Sequence, residues 1–129
     1  MQERDGIVSL ACKYSVDEAA GRLKGILNAK GITLFALVDH SGEAAKAGLT
    51  MPPTKLAIFG DPKAGTPIML AAPTTAIDLP LKILIWADVG GKVWVSYNSA
   101  DYLRNRHHFS KELESAIAGI AMLAEKVVA

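Results

Sequence analysis

The stretch from residue 81 to residue 98 constrains the fold of this chain more than any other. Side chains alternate between two faces from Leu81 to Asp88, Val89-Gly90-Gly91 forms a turn, and a second run follows from Lys92 to Asn98. A period of two on both sides of a short glycine turn is typical of a β-hairpin. Because a hairpin pairs neighbouring strands antiparallel, this stretch argues against an all-parallel, doubly wound sheet.

Three further stretches are predicted to be strands. Ile7 to Tyr14 alternates, which indicates a strand with one buried face. Lys55 to Phe59 is a short strand that ends at Gly60. Ile32 to Val38 is apolar on both faces apart from Thr33, so we expect a central strand that is covered on both sides.

Five helices are predicted between and after these strands. Ser15 stands three residues before Glu18, which forms a capping box, and Gly31 supplies a left-handed stop for the first helix. The other helices are predicted from Ser41 to Ala47, within Asp61 to Ala72 as either one kinked helix or a turn and a short helix, from Asn98-Ser99 to about Arg106, and after a Ser110 cap.

These elements follow one another in the order β-α-β-α-β-α-β-β-α-α. The order predicts an α+β fold, a two-layer sandwich with a five-stranded mixed or antiparallel sheet and helices mainly on one face. Residues 1–129 contain no repeat, linker or low-complexity segment, so we expect one domain. Such a sheet leaves an apolar face, with Trp86 and Trp94, that needs cover; a homodimer would supply it.

Composition argues against several function classes. The 14 basic and 13 acidic residues nearly balance, and no basic run reaches five residues, so neither nucleic acid nor an anionic membrane surface is an expected partner. The longest apolar stretches, such as Ile83 to Ala87, are far shorter than the ~20 residues of a membrane span. Cys12 is the single cysteine and the N-terminus shows no secretory signal pattern, which predicts a cytoplasmic protein.

His40 is the main candidate for a functional residue. It follows a buried strand and precedes a helix, in the sequence Asp39-His40-Ser41. A helix N-terminus favours anions, so His40 with Ser41 can bind a carboxylate, a phosphate or a sulfur oxyanion, or relay a proton. The structural alternative is that Asp39 or Ser41 caps the helix while His40 packs against the rim of the sheet.

Two residues of the hairpin complete the candidate ligand site. Lys82 is unusual within an apolar segment. In a structural role, Lys82 extends to the edge of the sheet or forms an ion pair with Asp78 or Asp88. In a functional role, it forms the positive wall of a pocket that contains His40. Asn98 ends a strand and begins a helix, so it either caps that helix or donates a hydrogen bond to a ligand.

Other constellations carry weaker signals. No metal site and no cofactor are expected, because the possible ligands lack the paired spacing of a zinc site. These possible ligands are Cys12, Asp39, His40, His107 and His108. Cys12 is predicted to be a small buried hydrophobe rather than a nucleophile. The stretch FGDPKAGTP lacks the Lys-Ser/Thr pair of a phosphate-binding loop.

Four phrases in the middle of the chain resemble one bacterial family. They are VDHSGEAAKAG, FGDPKAGTPIM, AIDLPLKILIWAD and VWVSYNSADYLRNRH, and together they cover roughly Phe35 to His107, the family-like core. The set resembles the family called domain of unknown function 302. The resemblance implies a small α+β domain that pairs as a homodimer and has no settled activity. The family pattern usually has Asn where this chain has Asp61.

The sequence therefore predicts a homodimeric module that binds a small molecule or an anion near His40. Two alternatives stay open. One is a structural or interaction domain without a pocket, and the other is a small enzyme that uses His40 as acid or base, with Cys12 or Asp39 as helper. A pocket that holds both His40 and Lys82 would disfavour the interaction domain. A second titratable group within hydrogen-bond reach of His40 would support the enzyme.

Overall fold

A computed structural model describes all residues from 1 to 129. Six strands form one sheet: Gln2–Arg4 (β1), Ile7–Cys12 (β2), Thr33–Asp39 (β3), Thr54–Gly60 (β4), Leu81–Ala87 (β5) and Val93–Asn98 (β6). Six α-helices accompany them: Val16–Ala29 (α1), His40–Lys46 (α2), Pro62–Ala71 (α3), Ala100–His107 (α4), Lys111–Glu114 (α5) and Ile120–Val128 (α6). A 3₁₀ helix, Pro73–Ile77, follows α3.

The sheet has the strand order β1-β2-β6-β5-β4-β3, and every neighbouring pair is antiparallel. This confirms the α+β class and an antiparallel sheet. The predicted hairpin is present as β5 and β6, in which Trp86 pairs with Trp94. The first helix is also present as predicted, with a complete capping box between Ser15 and Glu18 and with Gly31 at a φ of +69°.

The predicted number of five strands and the predicted order of elements are wrong. The additional strand, β1, has only three residues, which are polar and exposed, so no apolar alternation reveals it. It pairs with β2 across a turn in which both Asp5 and Gly6 have positive φ. The observed order therefore begins with two strands and ends with three α-helices.

The prediction of a covered central strand for Ile32 to Val38 is also wrong. The observed strand, β3, lies at the edge of the sheet and pairs only with β4. Its register shifts between Leu34 and Ala36, and the intervening Phe35 is 51% exposed. An edge strand with a bulge can carry apolar residues on both faces when other elements or a partner contact them.

The predicted last helix is broken into α5 and α6, and residues 115–119 join the two pieces. Ser110 precedes α5 but its side chain makes no capping hydrogen bond. Gly119 stands at the start of α6. By contrast, the segment after Asp61 is one helix, α3, with Pro67 in its interior.

The main core lies between one face of the sheet and the helices α1 and α6. Ile83, Ile85 and Val95 are completely buried there. A smaller cluster joins α3 to α4 and the α5–α6 segment; it consists of Ile68, Ala72, Leu103, Phe109 and Ile117. No helix of the molecule combines the length and the hydrophobicity that crossing a bilayer requires.

Candidate functional site

A cavity of about 420 Å³ opens between the edge of the sheet, the start of α3 and the segment that joins α5 to α6. Twelve of its 20 lining residues are hydrophobic, so its walls are apolar. Ligand sites in proteins typically have volumes of about 300–1,000 Å³ and mostly apolar linings with a few polar groups. In size and in chemistry this cavity therefore fits a small organic molecule.

The sheet contributes aromatic side chains to the cavity. Phe35 and Phe59 both line it. Leu34 pairs with Phe59 and Ala36 pairs with Ile58, so Phe35 is the extra residue of the bulge. Bulges re-aim side chains, and this one places Phe35 in the wall of the cavity instead of in the regular ladder.

The helices contribute small residues that leave the space open. On α3, Gly65 lines the cavity with Met69 beside it. On the opposite side, the break between α5 and α6 contributes Ile117 and Gly119, and α6 adds Met122. A continuous helix would carry side chains along one fixed stripe, whereas the break at residues 115–119 presents both backbone and side chains to the cavity.

Two charged residues, Lys30 and Asp61, lie among the lining residues. Asp61 caps α3, since its Oδ1 accepts a hydrogen bond of 2.9 Å from the backbone N–H of Lys63. Lys30 follows the last turn of α1. The positive charge of Lys30 lowers the pKa of Lys126. Neither lysine has a carboxylate within ion-pair distance.

His40 does not line this cavity. It is exposed at the start of α2, and its ring makes no hydrogen bond. Asp39 is the cap of that helix: its Oδ1 accepts from the backbone N–H of Gly42 at 3.0 Å and from the hydroxyl of Ser41 at 2.7 Å. These hydrogen bonds lower the pKa of Asp39. Ser41 in turn accepts from the backbone N–H of Thr54.

Lys82 reaches the end of the sheet. Its Nζ donates to the backbone carbonyls of Asp78 and Pro80, at 3.2 and 2.9 Å. Burial lowers its pKa, and the negative charge of Asp78 offsets only part of this effect. The carboxylate of Asp78 itself binds Arg106 and His107 instead of Lys82.

Asn98 pairs with Ile7 in the sheet and is not the cap of α4, which corrects the structural alternative for this residue. Ser99 is that cap, because its hydroxyl accepts from the backbone N–H of Tyr102. Lys82 and Asn98 each lie two residues beyond the Leu84–Ser96 pair, so they share one end of the sheet.

His40 lies at the other end of the sheet. It follows Asp39, which is level with Lys55 on β4 and Ile85 on β5. Three residues along a strand and two strand spacings place this position roughly 14 Å from Lys82. The structure therefore does not gather His40, Ser41, Lys82 and Asn98 around one space, and none of the four lines the cavity.

Sequence reasoning missed the cavity, although one signal was present. The stretch FGDPKAGTP supplies seven lining residues: Phe59, Gly60, Asp61, Pro62, Ala64, Gly65 and Thr66. This stretch lacks the pattern of a phosphate-binding loop, but it combines small residues with aromatic and apolar ones. Phe35 and the α5–α6 break gave no comparable local signal.

A cluster of hydrogen-bonded polar side chains around His107 lies outside the cavity. The buried ring of His107 bonds Thr74 through Nδ1 at 2.8 Å and Asp78 through Nε2. Arg106 also binds the Asp78 carboxylate, so these contacts tie the 3₁₀ helix to α4. Both ring nitrogens of His107 are thus engaged in hydrogen bonds.

No group of three or more His, Cys, Asp or Glu side chains lies close enough together to hold a metal ion. Cys12 is buried in the main core, as predicted.

Comparisons with known proteins place the chain among relatives. The family model described as Domain of unknown function DUF302 matches residues 8–127. The chain is 38% identical over 112 residues to the Fluoride-specific ion channel FluC 1 of Brucella suis biovar 1 (strain 1330) and to that of Brucella abortus biovar 1 (strain 9-941). These matches cover 87% of this chain but 44% and 42% of the relatives, so the chain spans less than half of their length.

A solved structure is also similar to this chain. It is the crystal structure of an uncharacterized conserved DUF302 protein from Bacillus stearothermophilus, with a TM-score of 0.77 over 95% of both chains. The sequence identity is 14%, so this likeness speaks for the fold alone.

Proposed function

The chain belongs to the DUF302 family, and from this premise we propose that it is a small-molecule-binding domain whose ligand occupies the apolar cavity. Family membership confirms the resemblance read from the four phrases. It assigns no activity, since the family has no established function. The observation that carries the proposal is the cavity itself: about 420 Å³ of space with predominantly hydrophobic walls.

The exposure of two lining residues supports this proposal. Phe35 is 51% exposed and Met122 is 58% exposed, and both belong to the cavity lining. Large apolar side chains that face water forgo the favourable free energy of burial, about 25 cal/mol per Å². A ligand with an apolar body would cover both side chains and recover part of that free energy.

The test is isothermal titration calorimetry with 1-octanol, a neutral probe with an eight-carbon chain. A Gly65→Leu variant should place its side chain in the cavity, which Gly65 lines. The backbone should tolerate the change, because a Cβ at Gly65 would meet Leu79 and Met69 at the ordinary distances of 3.7 and 3.8 Å. We expect the variant to bind octanol at least about tenfold more weakly than the wild type, a loss of about 1.4 kcal/mol.

The matched control is Gly21→Leu, the same substitution on the exposed surface of α1, where a Cβ has nothing within 4 Å. This variant should bind octanol like the wild type. A wild type that does not bind octanol would contradict the proposal, and so would equal binding by the Gly65→Leu variant.

We further propose that the chain acts as a homodimer through the sheet face opposite α1 and α6. This face carries Leu56, Leu84, Trp86 and Trp94, all only partly buried. Trp86 stacks with Trp94 at a ring-centroid distance of 6.4 Å. A second copy would present the same apolar surface, as two-fold symmetric dimers do. We also propose that residues 1–129 form one domain, since they contain no repeat or linker, and that the protein is cytoplasmic, since Cys12 is the single cysteine.

An enzyme that uses His40 finds no support in the geometry. A general base needs a group that orients it or receives its proton, and the ring of His40 has no hydrogen-bond partner. The carboxylate of the neighbouring Asp39 already accepts hydrogen bonds from the backbone N–H of Gly42, as the cap of α2, and from the hydroxyl of Ser41.

The names of the relatives favour a second candidate function, an accessory domain of an ion-transport protein. The 112-residue match lies in proteins named Fluoride-specific ion channel FluC 1. Fluoride itself does not suit the apolar cavity, since a small hydrated anion needs hydrogen-bond donors around it. If ¹⁹F NMR shows that fluoride binds to this domain outside the cavity, this result would favour the accessory function over the small-molecule-binding function that we propose.

A further inference from the structure

The cationic side of the cavity suggests the chemical class of the ligand. Lys30 is the basic residue among those that line the space, and it stands where α1 ends and the chain turns toward β3. Since a lysine stem is apolar and its ammonium is hydrated, Lys30 can lie along an apolar wall and hold its charge at the mouth. A ligand in the cavity thus has one positive charge within reach.

Lys126 doubles this charge. It lies in the last turn of α6, four residues after the cavity-lining Met122, so the two side chains project from the same face of the helix. Two ammonium groups side by side repel each other, which costs free energy that an anion between them would recover. Lys30 follows α1, which packs against α6 over the main core, and the positive charge of Lys30 lowers the pKa of Lys126.

Neither ammonium has a carboxylate partner, in contrast to Lys46 and Lys55. Lys55 lies 2.7 Å from Asp17, and Lys46 lies 3.3 Å from Glu43. The ion pairs of the molecule include no contact of Lys30 or of Lys126. The arrangement leaves an unpaired positive site at the mouth of an apolar space.

One carboxylate, that of Asp61, also belongs to the lining. It accepts the hydrogen bond of the backbone N–H of Lys63, so it is directed at the first turn of its own helix. Its charge weakens the attraction for an anion without cancelling that of two ammonium groups. A cationic ligand would be attracted by one carboxylate, which already accepts a hydrogen bond, and repelled by two ammonium groups.

We propose that the ligand of this cavity is a single-chain amphipathic anion, a medium-chain fatty acid, whose alkyl chain fills the apolar space and whose carboxylate binds Lys30 and Lys126. This inference rests on the proposed function, because it presupposes a ligand in the cavity.

Three probes with one chain length test the inference: octanoate, 1-octanol and octylamine, titrated calorimetrically at pH 7. We expect octanoate to bind roughly tenfold more tightly than octanol, since a carboxylate forms stronger, charge-assisted hydrogen bonds with ammonium groups than a neutral hydroxyl does. Octylamine, which carries a positive charge at this pH, should bind more weakly than octanol. Added salt should weaken the binding of octanoate and leave that of octanol unchanged.

Variants locate the charge. The double variant Lys30→Gln/Lys126→Gln should abolish the roughly tenfold preference for octanoate over octanol. Lys111→Gln, a matched exposed lysine on α5, should leave both affinities unchanged. Asp61→Asn keeps a capping side chain and removes the negative charge, so it should tighten octanoate binding about two- to fivefold.

The outcomes separate the two proposals. If octanol and octanoate bind equally, or if octylamine binds best, the anionic class is overturned while the apolar ligand site stands. If octanoate keeps its advantage in the double lysine variant, the assignment to these lysines is overturned. If none of the three probes binds, the proposed function fails together with the inference.

Discussion

Among single residues, Asp88 shows how one carboxylate holds the turn between β5 and β6. Its Oδ1 accepts from the backbone N–H groups of Gly90 and Lys92, at 3.0 and 2.9 Å, and its Oδ2 accepts from the indole N–H of Trp94 at 3.2 Å. All three bonds favour the ionised carboxylate. The bond from Trp94 contributes most to lowering the pKa of Asp88 below its ordinary value of 3.8.

The lowered pKa of Asp88 predicts a pH-dependent contribution to stability. In the unfolded chain Asp88 titrates near 3.8, so its stabilising effect is complete above that pH and is lost as pH falls through the lower folded pKa. Asp88→Asn should therefore reduce the free energy of unfolding most above about pH 4, and the difference from the wild type should narrow at lower pH. Urea unfolding across a pH series measures it.

The control for this experiment is Asp101→Asn, which changes an exposed carboxylate that makes no side-chain hydrogen bond. This substitution should give a difference that depends less on pH. If the difference between wild type and the Asp88→Asn variant stays constant down to pH 2, the three hydrogen bonds do not stabilise the ionised form.

At the scale of elements, the turn between β1 and β2 is fixed by a glycine. Gly6 has a φ of +85°, its carbonyl accepts from the backbone N–H of Ser99, and a Cβ at this position would lie 2.2 Å from Cγ of Tyr102. The short strand β1 is thus held by the packing of its turn against the start of α4, and not by apolar residues of its own.

Gly6→Ala and Gly91→Ala form a matched pair of substitutions. Gly91 has nearly the same φ, +84°, but a Cβ there has nothing within 4 Å. Both changes introduce the strain of a positive φ, and only Gly6→Ala adds the overlap with Tyr102, which should cost about 1–3 kcal/mol more. Urea unfolding of both variants gives this difference. Equal losses of stability would show that the turn does not pack on α4 as described.

Elements with a complete local signal were predictable from the sequence. The capping box of Ser15 and Glu18 and the left-handed Gly31 bound α1 because each acts through neighbouring residues. The hairpin of β5 and β6 was predictable for the same reason. In each case the period and the turn lie within one stretch of the chain.

Elements that depend on distant contacts were not predictable. β1 has no apolar pattern, and β3 reads as a covered strand although its position at the edge follows from the pairing of the whole sheet. The periodic apolar residues around Ile117 and Ile120 predicted one continuous helix, whereas the structure has two helices, α5 and α6, joined by residues 115–119. The cavity is built from such features, namely the bulge at Phe35 and the α5–α6 break. Because neither has a local sequence signal, the sequence predicted a site at His40, where a strand is followed directly by a helix.

For the whole molecule, the open face of the sheet predicts the oligomeric state. Leu56 pairs with Leu84 and Trp86 pairs with Trp94 on this face, which leaves a continuous apolar stripe across three strands. Exposed apolar stripes of this kind mark interaction surfaces. Light scattering should therefore give a mass of twice the 13.7 kDa of one chain.

Leu84→Glu places a charge in the middle of this stripe and should shift the mass to that of the monomer while circular dichroism stays unchanged. Lys24→Glu, a charge reversal on the exposed surface of α1, is the control and should leave the dimer intact. A monomeric wild type at micromolar concentration would contradict the dimer, and so would a dimer that tolerates the Leu84→Glu substitution.

The central claim is that the apolar cavity binds ligands, and the methionine methyl groups test it most directly. The chain has four methionines: Met69 and Met122 line the cavity, whereas Met1 and Met51 do not. In protein labelled with ¹³C at the methionine methyls, titration with 1-octanol should shift the signals of Met69 and Met122 saturably and leave those of Met1 and Met51 in place. Shifts that are absent, or equal at all four methyls, would contradict a ligand site in this cavity.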